Sequence, residues 1–219
     1  MTPDYDKAAT KAAETLINYN ICSAPVTPLP ILKKMAGVFV ISFTDMSKAM
    51  EMKRERIISM FGSKNVDAFT SFSMQNGKPQ YMVAYNQMLS FILCQRALAR
   101  ELGHIILGHN DTIPEDVREE ESRCFAHHLL CPRPLIHCIQ AAGFKLTTEV
   151  LGNLTGCHDC CLASMRRLPA VNVPAELNRT LRDQFFPYVV NFFEYQRNAR
   201  LVDVSGIADF GSYMDGYEE

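Results

Sequence analysis

Apolar residues recur at helical spacing among alanines and charged residues over residues 4–19, which predicts a first helix. Three prolines between Cys22 and Pro30 mark a connector, and Thr27 to Met35 reads as a short helix ending at Gly37. Gly37–Phe43 is β-branched and aromatic, the composition of a strand. Asp45 is placed to cap a helix running to about Met60, closed by Phe61-Gly62-Ser63. Asp67–Gln75 and Pro79–Tyr85 then flank Asn76-Gly77, the pair a two-residue hairpin favours because both turn positions take positive φ.

The next segment, Leu89 to about Leu107, predicts a long helix with Phe91, Leu98, Leu102 and Ile105 as its core-facing stripe. Arg100 and His104, with Ala97 and Gly108, fall on the opposite side, so polar groups share a face bordered by small residues. A fourth helix is expected from Thr112-Ile-Pro-Glu115, read as a capping box, to Pro132. Thr147–Leu168 reads as two short helices joined at Gly156. Residues 176–199 form a further helical region, broken at Pro187, whose Phe185, Phe186, Tyr188, Phe192, Phe193 and Tyr195 are apolar on more than one face. Such a helix is either buried or packs on a partner or a second copy, so a homo-oligomer through residues 185–195 is one expectation.

Composition narrows the classes. The chain has 219 residues, 47% of them hydrophobic, enough for one domain with an extension. A net charge of −2 leaves no global attraction for nucleic acid. Only Arg166 and Arg167 supply strong cations to the helix-turn-helix-like segment 147–168, so direct nucleic-acid binding is not expected. No apolar run is long enough to span a bilayer, and the N-terminus, with acidic residues and no long apolar stretch, does not read as a signal peptide. The chain is therefore expected to be cytoplasmic. Its eight cysteines then read as reduced thiols, with Cys22, Cys94, Cys131 and Cys138 as small core residues. Cys157-His-Asp-Cys-Cys161 contains one C-x-x-C without a second pair, a weak signal for structural zinc, and Asp159 in it is a ready helix cap.

Candidate chemistry concentrates in Arg100-Glu-Leu-Gly-His104 and in Glu119-Glu-Glu-Ser-Arg-Cys-Phe-Ala126. A zinc hydrolase uses H-E-x-x-H on a helix: i, i+4 spacing brings two imidazoles to one face, and the glutamate between them is general base for a metal-bound water. A carboxylate from a following helix supplies the third ligand. Glu101 and His104 are in register, and Glu121 lies 17 residues beyond His104. Arg100 stands at the first ligand position, where a protonated guanidinium offers no lone pair.

Ala99-Arg-Glu-Leu-Gly-His-Ile-Ile-Leu-Gly-His109 resembles the A-H-E-L-G-H-x-x-L-G-H run of ImmA/IrrE-type zinc metallopeptidases. Glu121-Ser-Arg-Cys-Phe-Ala-His-His-Leu-Leu-Cys-Pro132 resembles their E-A-N-x-F-A-x-x-L-L-M-P run. The resemblance covers residues 10–168 and includes the order of predicted elements. It implies a zincin-like α+β fold with a small three-stranded sheet, an active-site helix and surrounding helices. Residues 1–170 would form this metallopeptidase-type domain, and residues 171–219 an aromatic-rich helical extension ending in an acidic tail. Active members cleave helix-turn-helix repressors and so switch on mobile-element or stress genes. By the resemblance, Glu101 is the general base, and His104 and Glu121 are metal ligands.

The arginine predicts a departure from that scheme. Arg100 and Glu121 are expected to pair bidentately, the guanidinium replacing the charge of the ion. Zinc is then absent or weak, and the protein acts by binding a partner, such as a helix-turn-helix repressor, in the former substrate cleft. The alternative is an active zinc endopeptidase completed by an unorthodox ligand. Cys124, one turn from Glu121, is the candidate substitute; His128, two turns and about 10 Å away, is too far. His109, about 140° round from His104 if the helix continues, is expected to cap the helix C-terminus.

Overall fold

A computed structural model describes residues 1–60, 66–156 and 170–201. Helix α1 (Tyr5–Asn18) begins at Asp4, whose carboxylate accepts from the Lys7 amide, and its small residues Ala8, Ala9, Ala12 and Ala13 are buried. Helix α2 (Pro28–Lys34) follows the prolines and leads into β1 (Val38–Ser42). The single helix expected from Asp45 to Met60 is two, α3 (Phe43–Ala49) and α4 (Arg54–Met60). Ser42, not Asp45, is the cap: its hydroxyl accepts from the Asp45 amide and donates to the Asp45 carboxylate. The break falls at Glu51, which holds a positive φ of 51°. The expected turn at 61–63 lies outside the described residues.

The hairpin forms as its sequence requires. Strands β2 (Ala68–Gln75) and β3 (Lys78–Tyr85) pair antiparallel around Asn76 (φ 51°) and Gly77 (φ 72°). Strand β1 pairs parallel to β3, so the sheet order is β1-β3-β2 and β2 is an outer strand. One sheet face carries Val38, Val40, Tyr81, Val83 and Tyr85 onto the main core, while Ile41, Phe69 and Ala84 meet a smaller cluster with Phe43, Met46 and Ile57.

Helix α5 (Phe91–Leu107) and helix α6 (Glu115–Leu130) lie against each other in that core. Leu98, Leu102 and Ile105 are buried as the stripe requires, but Phe91 at the start of α5 is 54% exposed, while Ile92 and Cys94 of the same turn pack on the core. At Gly103 the two helices approach closely: an added Cβ would sit 3.0 Å from Cδ1 of Phe125, itself fully buried. The capping box expected at Thr112–Glu115 does not form, because the Asn110 side chain accepts from both the amide and hydroxyl of Thr112.

Helix α7 (Arg133–Ala141), which no sequence expectation covered, starts directly after Pro132; α8 (Thr148–Thr155) ends at Gly156. Helix α9 (Ala175–Leu201) continues through Pro187 instead of breaking there. Leu181, Phe185, Val189 and Phe193 anchor one face of α9 in the main core on both sides of the proline. The Gln184 amide donates to the Ile21 carbonyl and the Tyr188 hydroxyl to the Ala24 carbonyl, so the segment beyond residue 170 shares the core of the rest. Phe186 and Tyr195 of its aromatic set are exposed. Cys131 and Cys138 are core thiols as expected, whereas Cys94 is half-buried and Cys22, on the connector, is exposed. Cys157–Cys161, the second helix of 147–168 and the acidic tail lie outside the described residues. Among the described residues no helix is long and apolar enough to cross a membrane.

Two consequences of this packing are measurable. Gly103→Ala gains about 1 kcal/mol of helix propensity, but overpacking against a ring that has no room to retreat costs about 1–3 kcal/mol. The expected outcome in urea denaturation is a net loss of about 1 kcal/mol; a more stable variant would contradict the close approach. His127 and His128 on α6 are 7% and 8% exposed, and burial foremost, with Arg96 and Arg133 respectively the next contributors, lowers both pKa values from 6.5 to about 4. The unfolded chain takes up these protons near pH 6.5 and the folded protein only near pH 4. Unfolding free energy is therefore expected to fall across that window on acidification, by on the order of 3 kcal/mol per histidine. Urea melts at pH 7 and pH 4.5 with equal midpoints would refute this.

Candidate functional site

A cleft of about 910 Å³ opens between the outer strand β2, the polar face of α5 and the start of α6. Ala97, Arg100, Glu101, His104 and Gly108 line it together, as the far side of the α5 stripe predicts. Opposite them stand Ala68, Phe69, Thr70 and Phe72 of β2, with Tyr81 of β3 tilted against Phe72 at 5.4 Å between ring centroids. Glu101 and β2 are tied directly, since the Thr70 hydroxyl donates to its carboxylate at 2.7 Å. Desolvation raises the Glu101 pKa; the charge of His104 and the Thr70 hydrogen bond oppose the shift without cancelling it.

The carboxylate that meets Arg100 is Glu119, not the expected Glu121. One guanidinium nitrogen of Arg100 donates to Glu119 Oε2 in a close contact, and its Nε is buried without a partner, so the expected two-pronged fork has one prong. His104 Nε2 is 3.5 Å from Glu119 Oε1. The neighbouring His104 first, and then Arg100, hold the Glu119 carboxyl at about 2, against the desolvation that works the other way. The cause of the two-residue offset is the rotation of α6 about its axis. Positions 119 and 121 lie about 200° apart on a helix, so only one can face the cleft.

Glu121 instead turns inward and is 6% exposed. Its Oε1 accepts from the Asp4 amide at 2.8 Å, and its Oε2 lies 3.0 Å from His109 Nε2. His109 Nδ1 in turn lies 2.8 Å from His104 Nδ1. The direction of this chain follows from chemistry. A carboxylate only accepts, so His109 carries its proton on Nε2. Burial lowers the His109 pKa, so the ring is neutral and its bare Nδ1 accepts from His104 Nδ1–H. His104 Nε2 is the ring nitrogen that faces Glu119, 3.5 Å from its Oε1. Glu121 thus acts through His109 to orient His104, and does not enter the cleft.

His109 is the site residue that sequence reasoning missed. The expectation of a ring 140° round from His104 assumed a continuing helix. Gly108 at φ 70° ends α5 in the left-handed conformation, and the chain folds back so that the two imidazoles meet edge to face at 5.0 Å. A Gly directly before the histidine was the available signal. Cys124 is also corrected: it is fully buried, donates to the Tyr5 carbonyl at 3.7 Å, and burial pushes its thiol up to about 12, so it supplies no ligand to the cleft. His128, as expected, is remote; it lines a different pocket.

The donor set does not fit the zinc scheme. Arg100 fills the first position, Glu121 is spent on Asp4 and His109, and among the described residues no three His, Cys, Asp or Glu side chains gather in metal-holding geometry. The cleft can do other things. It offers the outer edge of β2, unpaired among the described residues, an aromatic patch, and carboxylates at Asp67, Glu101, Asp111, Glu115 and Glu119 against two guanidinium groups, Arg100 and Arg118. No family model, no curated protein and no solved structure matches this chain.

The two glutamates are expected to differ sharply when truncated. Glu121→Ala leaves the Asp4 amide and the His109 ring nitrogen without acceptors in a buried setting and costs about 3 kcal/mol. Glu119→Ala removes a contact whose side chain is 36% exposed, so solvent screening keeps the cost below about 1 kcal/mol. Denaturant titration of the two variants checks this ranking, and the opposite order would mean that the roles are exchanged.

Proposed function

We propose that this chain is an ImmA/IrrE-like metallopeptidase-fold protein whose cleft binds a segment of a protein partner and holds little or no zinc. The observation that carries this reading is the Arg100–Glu119 contact beside His104, an organic cation at the place where the resembled motif calls for a metal ligand. A guanidinium pairs with the carboxylate without any change of protonation near neutral pH, so the site is electrostatically complete without an ion.

Partner binding uses what remains open. An extended segment can add to the outer edge of β2, which has no neighbouring strand among the described residues. Carboxylates outnumber guanidinium groups along the cleft, and the aromatic rings of Phe72 and Tyr81 border it, so the favoured segment is basic with interspersed apolar residues. A helix-turn-helix repressor carries such segments because it binds nucleic acid phosphates.

The reading has a direct test. The purified protein is expected to hold well under one zinc per chain by elemental analysis. Arg100→His should raise the zinc content towards one, because two imidazoles and Glu119 then share the cleft. Adding Glu119→Gln to that variant should remove the gain. Glu101→Gln in the original chain should leave binding to a repressor peptide within about twofold, as a carboxylate needed only for water activation contributes little to binding. Stoichiometric zinc in the unaltered protein, with peptide cleavage abolished by Glu101→Gln, would instead establish the active endopeptidase.

A further inference from the structure

On the side of α6 away from the cleft, a second pocket of about 230 Å³ lies between α1, the start of α7 and the start of α9. Its polar lining holds the Arg133 guanidinium, the imidazoles of His128 and His137, and Asn172 and Asn178, with no carboxylate. The remaining wall is apolar, formed by Ala9, Ala13, Val171 and Leu181 among others. We propose that this pocket binds the phosphate group of a small phosphorylated compound or inorganic phosphate itself.

Three observations support the assignment. His128 is 8% exposed, yet neither it nor Arg133 nor His137 has a hydrogen-bond or ion-pair partner among the described residues. With no protein acceptor, the His128 ring N–H is satisfied by whatever occupies the pocket, water or a ligand. Arg133 opens α7, a helix of nine residues, so the positive end of the helix dipole reaches the same place. The planar fork of a free guanidinium matches two oxygens of a phosphate.

The surroundings limit what else could enter. Asp6, outside the pocket lining, accepts from the backbone amide of Asn172 at 2.7 Å. The Asn178 amide is spent on the Val173 carbonyl, which fixes that wall. A metal cation is disfavoured by the Arg133 charge. The volume lies below the about 300 Å³ at which drug-sized sites begin, so the ligand is small.

The test is a titration of the full chain, followed through the imidazole NMR signals of His128 and His137. Inorganic phosphate and a small phosphomonoester, phenyl phosphate, serve as the two probes. Both signals are expected to move saturably with phosphate, and Arg133→Gln to weaken binding by about tenfold or more, the loss of one charged bidentate contact. Because Arg133 is exposed, the thermal midpoint of that variant in phosphate-free buffer should match the parent. Tighter binding of phenyl phosphate identifies a phosphorylated compound as the source, and tighter binding of inorganic phosphate identifies the free ion. Linear shifts without saturation, equal shifts with acetate at the same ionic strength, or unchanged affinity in Arg133→Gln would each overturn the proposal.

Discussion

The approach of α5 to α6 at Gly103 sets the geometry of the cleft. Phe125 packs where a side chain on α5 would stand, so the two helices lie close enough for groups on one to touch groups on the other. At that separation a carboxylate reaches a guanidinium across the gap, and an imidazole at the end of α5 reaches a glutamate in the middle of α6. Both polar contacts depend on an apolar one. Interiors packed at crystal-like density tolerate little displacement, which is why a missing methyl group on α5 matters to charges one turn away on either side.

Two layers of polar chemistry result. Towards solvent, Arg100, Glu119 and His104 form a cluster on the cleft wall, with Glu101 held beside it by Thr70. Behind it, Glu121, His109 and the Asp4 amide form a buried chain that ends on the inner nitrogen of His104. The inner chain orients the imidazole, turning its outer nitrogen to Glu119 on the cleft wall. It also ties the beginning of the polypeptide to the middle of α6, a long-range constraint that adds to the shared core. An orienting chain behind an open imidazole would serve metal ligation and partner recognition equally; under the proposed reading Arg100 decides between them.

The core-facing stripe of α5 was legible because a period of 3.6 residues directly encodes which side is buried, and Leu98, Leu102 and Ile105 follow it. The hairpin was legible because Asn76-Gly77 relieves a local steric restriction. The two short helices α3 and α4 and the course of α9 through Pro187 were not. In the first case the chain takes a left-handed conformation at Glu51, which the residue pattern does not mark, and in the second, burial of Phe185 and Phe193 on both sides outweighed the lost backbone hydrogen bond. Helix α7 was missed because Pro132 reads as a stop, although proline tolerates the position just before a helix as well as the first turn within it.

By itself the sequence determined the small sheet, the long helix with a polar face, and the presence on that face of an arginine, a glutamate and a histidine one turn apart. These follow from local periodicity and turn chemistry. Which acidic residue of the run Glu119-Glu120-Glu121 would meet Arg100 was decided only by the tertiary structure. That choice depends on the rotation of α6 about its axis, set by Phe125, Cys124 and Leu129 finding their places in the core. The return of His109 was decided in the same way, by a chain reversal at Gly108 that brings together residues a continuous helix would have kept apart.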